Sequence, residues 1–181
     1  MTIKFLSLAI AAGLALSAPA ANAAVYSFTQ TGFEEGAFIS GTFEASDSNA
    51  DLIIGGGTLN SIQEITAFTL AFSGNSLVQA FTHSFSDLTT LNYRPAKSFF
   101  GDANPEGMAS NWFGSTGFFY VGGTAVAGEQ GGYVQNIDTG SWSHSENLVY
   151  VTPAAVPVPG AVWLFGSALA GFIGAARRKK S

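Results

Sequence analysis

Between Val25 and Thr152 the apolar residues alternate with polar ones in short runs, and no stretch carries a 3.6-residue repeat. Phe68, Leu70 and Phe72 alternate with Thr69 and Ala71, and Phe81, His83 and Phe85 fall on one face of the returning strand. A period of two puts such residues on one face of a strand, and no helix can gather them. Glycine, asparagine, serine and aspartate break the runs. Val25–Gln30 and Ala37–Ala45 read as a first hairpin around Gly32–Gly36. Asp47–Gly57 reads as a loop, Ile62–Phe72 as a strand region and Leu77–Phe85 as its return after Gly74-Asn75. Shorter strands are expected at Thr89–Tyr93, Lys97–Phe100, Phe118–Val121, Gly132–Ile137 and Leu148–Thr152. About eight to ten strands at this spacing predict an all-β domain, an antiparallel sandwich or jelly-roll-like fold over residues 24–152.

Charge is partitioned along the chain. All 12 acidic residues lie between Glu34 and Glu146, where Arg94 and Lys97 are the only basic ones, so this region has a formal charge of −10. Such a surface repels phosphate backbones and disfavours nucleic acid as a partner. With no cysteine, neither disulfides nor thiolate metal sites can form.

The remaining positive charge sits at the two ends. Residues 1–23 read as a secretory signal peptide, with Lys4 ahead of an apolar run and Ala21-Asn22-Ala23 as the cleavage signal. Ala24 is then the expected mature N-terminus. At the other end, residues 153–160 form a proline-rich linker leading to Val156-Pro157-Val158-Pro159-Gly160. Val158 to Ala176 carries no charge over 19 residues, enough as a helix to cover roughly 28 Å of bilayer. A transmembrane helix is expected over 161–176. Arg177, Arg178, Lys179 and Lys180 follow as a stop-transfer signal that keeps residues 177–181 cytoplasmic.

Pro-x-Pro, an apolar helix and a terminal basic cluster resemble the PEP-CTERM family of sorting signals. The run Val156 to Ser167 is closest to the V-P-L-P-A variant that continues W-L-F-G-S, with Val158 where Pro-Glu-Pro has its acid. The likeness covers about 26 of the 181 residues. It implies export through the inner membrane of a Gram-negative bacterium. An exosortase, a membrane-embedded transpeptidase-like cysteine enzyme, would then process the anchored precursor and release it to the surface or extracellular matrix, often beside exopolysaccharide.

The domain itself offers fewer signals. Asp47, Asn49 and Asp51 have the spacing of calcium-binding oxygens, but Leu52 and Thr58 stand where an EF-hand-like loop needs glycine and an acid. A solvated turn is the better reading. His83 and His144 lack any G-x-S-x-G or H-E-x-x-H context, so the chain does not read as an enzyme, and a hydrolase is a distant alternative. Trp112, Tyr120 and Trp142 lie among Gly, Ser and Asn, where aromatic platforms stack on sugar rings. Large rings also fill small cores. Alternation turns Phe119 away from Phe118 and Tyr120, so one side of that strand faces outward or meets another element. The chain thus reads as an exported structural or adhesive protein, with carbohydrate binding as the alternative.

Overall fold

Among the described residues, twelve strands form two six-stranded antiparallel sheets in a sandwich-like all-β fold. The computed structural model describes residues 23–100, 106–123 and 131–153. In chain order the strands are β1 (Ala24–Gln30), β2 (Ile39–Ala45), β3 (Ile54–Gly56), β4 (Ile65–Phe72), β5 (Phe81–Ser84) and β6 (Leu88–Tyr93). They continue with β7 (Phe99–Phe100), β8 (Gly107–Ser110), β9 (Phe118–Gly123), β10 (Gly132–Asn136), β11 (Trp142–Ser145) and β12 (Val149–Pro153). The first sheet runs β5-β4-β2-β1-β12-β7 and the second β11-β10-β9-β8-β6-β3. The only helical segments among the described residues are two 3-10 turns, Glu34–Gly36 and Phe85–Asp87.

The predicted first hairpin is present, with Gln30 opposite Ile39. Three strands escape the alternation rule, each for its own reason. β3, Ile-Gly-Gly, has two residues of low strand propensity and lies inside the stretch expected to be a loop. β8, Gly-Met-Ala-Ser, is buried on both faces and so shows no alternation. β11 alternates with serines facing inward, which disguised it as a polar loop: Ser143 and Ser145 are buried while Trp142 and His144 are exposed. Phe85 departs from expectation in the other direction, because the 3-10 turn carries it off β5 and leaves it exposed.

Rings from both sheets fill the space between them. Tyr26 stacks on Phe43 with centroids 4.8 Å apart, and both meet Tyr93 of the second sheet edge-on. At the other end Phe81 stacks on Phe118 at 4.9 Å. His83 faces this interior, opposite Leu70, and its Nδ1 bonds the Ser110 hydroxyl at 2.7 Å across the sheets. It is a satisfied structural histidine, and burial pushes its pKa down.

The two outer faces differ in kind. On the first sheet the cross-strand row Thr152-Ser27-Thr42-Thr69-Ser84 presents hydroxyls, with Thr42 and Thr69 bonded at 2.9 Å. On the second sheet the outward rows of β9, β10 and β11 include the rings of Phe119, Tyr133, Trp142 and His144.

Candidate functional site: an aromatic face on the second sheet

Register places the rings. Gln135 of β10 lies between Phe119 of β9 and Trp142 of β11, and Tyr133 lies between Val121 and His144. Directly opposed residues share a face, so these six side chains form two adjacent rows. Trp112 folds onto them from the turn after β8, where Thr89 accepts a hydrogen bond from its backbone N–H at 3.1 Å. Its ring meets Phe119 at 5.3 Å and Tyr133 at 6.1 Å, and Phe119 meets Tyr133 at 5.4 Å, all edge-to-face. Each such pair adds about 0.5–1.5 kcal/mol beyond area burial, so the cluster holds itself rigid. Trp142 stands at its border, 56% exposed, with its ring 5.4 Å from that of His144.

Beside the cluster lies a groove of about 710 Å³, walled by Tyr133, Gln135, Trp142, His144 and Glu146. Its floor is glycine. Gly123 and Gly131 adopt φ +80 and +105, a region that favours residues without a Cβ, and a Cβ on Gly131 would run into the Ser145 carbonyl. Backbone is therefore bare where the rings rise.

One wall is fixed by the first hairpin. Glu34, in the 3-10 turn after β1, accepts hydrogen bonds from the Ser143 hydroxyl and from the His144 backbone N–H at 3.0 Å. Its other oxygen pairs with His144 Nδ1 at 2.9 Å. Burial pushes the Glu34 carboxyl up, but these bonds outweigh it and hold the group below its ordinary range. A carboxylate on Nδ1 sets the imidazole's orientation and leaves Nε2 for another partner. Asn75 braces the same corner, donating to the Glu34 carbonyl at 3.2 Å and the Ser143 hydroxyl at 2.8 Å.

Of the residues singled out from sequence, Trp112 and Trp142 fall on this one face. Tyr120 does not. It points into the sandwich, is fully buried, and donates its hydroxyl to Gln30 Oε1 at 2.8 Å, so it offers no ring to a ligand. Phe119 and Tyr133 take its place. The parity of β9 pointed to Phe119, but nothing in sequence links Glu34 to His144, 110 residues away.

The Asp47-Asn49-Asp51 loop spends its side-chain oxygens on its own backbone and amides, all but Asp47 Oδ1. Asp51 Oδ1 accepts the Ile53 N–H at 2.8 Å and Asn49 Oδ1 the Asp51 N–H at 2.9 Å. Asn49 also turns its amide nitrogen to Asp51 Oδ2, and Asp47 Oδ2 accepts the Leu52 N–H. These are turn-closing bonds, and no group of three or more His, Asp or Glu among the described residues is placed to hold a metal ion. The sorting motif Val156 to Gly160, the basic cluster Arg177 to Lys180, the expected spanning helix and Ala21 lie outside the described residues. Among those described, no helix is long and apolar enough to cross a membrane.

Comparison with protein-family models, curated proteins and solved structures finds no match.

Proposed function

We propose that this is an exported surface or matrix protein whose second sheet adheres to polysaccharide through its aromatic face. The single observation that supports adhesion is the outward cluster of Trp112, Phe119 and Tyr133 beside a groove edged by Trp142. A core needs its rings inside. These lie on the outer face while the other sheet's outer face carries hydroxyls, which favours a ligand-facing role. Ring faces take the apolar faces of sugars, while Gln135, His144 and Glu146 supply polar partners for hydroxyls. The −10 charge disfavours polyuronate chains, so neutral or amino-bearing polymers suit the groove better.

Affinity gels cast with exopolysaccharide from a Gram-negative producer test this. The protein is expected to be retarded, and Trp142→Ala or Tyr133→Ala to weaken binding roughly 10-fold or more, the usual cost of truncating an aromatic anchor. Unchanged mobility with polymer, or variants that bind like the parent, would refute the adhesive reading.

Delivery rests on the two ends of the chain. In this reading an exosortase-like enzyme at the inner membrane cuts near Pro157 and Pro159 and removes the anchor. Mass spectrometry of the extracellular protein is expected to find a C-terminus upstream of Arg177. A secreted form that keeps Arg177 to Ser181 would overturn the processing step.

A further inference from the structure

Ala24 opens β1 opposite Ala45, and Asp47 follows two residues further along that neighbouring strand's exit. Both line one groove of about 330 Å³, otherwise walled by Tyr26, Leu52, Ile54 and Pro95 among its larger side chains. Asp47 uses Oδ2 to accept the Leu52 N–H at 3.0 Å, while its Oδ1 is buried with no hydrogen-bond partner among the described residues. An unpartnered carboxylate oxygen in apolar surroundings is costly and marks a missing cation or donor. The charge is also felt locally: burial, and then the Asp47 carboxylate, push the Tyr26 hydroxyl's pKa up.

The loop is shaped to keep Asp47 there. Ala50 and Leu52 both adopt left-handed backbone, at φ 59 and 68, which costs non-glycine residues about 1–2 kcal/mol each. Buried Glu64 anchors the same loop through the Ser48 and Asn49 N–H groups. The two basic side chains of the domain are engaged elsewhere: Arg94 and Lys97 pair with Glu106 at 3.3 and 3.1 Å.

We propose that the missing partner is the α-ammonium group of Ala24, created when the signal peptide is removed. Hydrolysis of the Ala23–Ala24 bond adds water, leaving a carboxylate on Ala23 and an amine on Ala24 that takes up a proton at neutral pH. Before the cut this nitrogen is a neutral amide, so the ion pair belongs to the mature chain alone. Maturation thus completes the fold, and the domain reaches full stability only after its leader has gone. The inference rests on the cleavage position read from the sequence, and N-terminal sequencing of the exported protein checks that position separately.

Chains of defined terminus test the pairing itself. The chain from Ala24 to Ser181 is prepared in detergent with a free or an acetylated α-amine, and thermal unfolding is followed by circular dichroism. Acetylation is expected to lower Tm by roughly 3–5 °C. In Asp47→Asn the same acetylation is expected to change nothing. Equal Tm values for the free and acetylated parent, or an equal loss in Asp47→Asn, would overturn the pairing. Should Asp47→Asn not fold, acetic anhydride labelling of the parent decides. The folded chain's α-amine is expected to react about tenfold more slowly than in urea, and equal rates would sink the proposal.

Discussion

Glu64→Ala is expected to lower Tm by roughly 10 °C. Glu64 is 5% exposed and accepts four hydrogen bonds. Its Oε1 takes the Ser48 N–H at 2.7 Å, the Ser48 hydroxyl at 3.0 Å and the Asn49 N–H at 3.3 Å, while Oε2 takes the Gly55 N–H at 3.2 Å. Its own backbone ties in too, donating to the Gly55 carbonyl and accepting from Ser46 N–H. The side chain therefore joins the strained loop to β3, and the backbone adds the residue after β2. Bonds to a charged acceptor contribute about 1.5–3 kcal/mol each, and removing the acceptor leaves buried N–H groups unpaired. Non-additivity and loop relaxation bring the sum to about 3–4 kcal/mol. Glu64→Gln should fall between: the amide oxygen can serve the Ser48 side, but its NH2 would oppose the Gly55 N–H. Urea or thermal unfolding followed by far-ultraviolet circular dichroism measures both, and an alanine variant as stable as the parent would refute the clamp.

Tyr120→Ala is expected to cost about 3–5 kcal/mol, the usual range for emptying a large aromatic site in a core. The ring is fully buried beneath β9 and its hydroxyl is the Gln30 side chain's partner. Gln30 in turn donates to the Asn147 carbonyl at 2.6 Å, so the network links β1, β9 and the turn before β12. Tyr120→Phe keeps the volume and removes one buried bond, for about 1–2 kcal/mol. Burial pushes the hydroxyl far above the ordinary tyrosine range, so Tyr120 should yield no tyrosinate absorbance before the protein unfolds in alkali. The pair of variants also separates structure from ligand contact. Tyr120→Phe should bind polysaccharide as the parent does, because its ring faces inward. A specific loss of binding without loss of stability would show that the outer face is not the binding surface.

The aromatic face was half legible. Trp112 and Trp142 stand out by type and by their polar neighbours, and the parity of Phe118-Phe119-Tyr120 shows that one side of β9 must differ from the other. Parity alone does not say which side is inside. The choice is made by Gln30, which takes the Tyr120 hydroxyl, and by the buried cross-strand partners Val134 and Ser110, which leave Phe119 to Trp112 and Tyr133. Glu34 and His144 carry no local pattern, since a carboxylate and an imidazole on a turn and a strand end meet only when the sheets are stacked.

Alternation and turn chemistry determined by themselves that this chain makes antiparallel strands, where the first hairpin closes and which residues of β4 share a face. The reason is that side-chain direction in a strand is a local property of the backbone. The proposed address at the two ends likewise rests on apolar length and flanking charge alone, which need no fold to be read. Only the tertiary structure decided that Ser143 and Ser145 are interior, that Met108 and Ala109 lie in a strand buried on both sides, and that Tyr120 is core while Phe119 is surface. Burial depends on which sheet covers which, through contacts between residues about a hundred positions apart, and no local period encodes it.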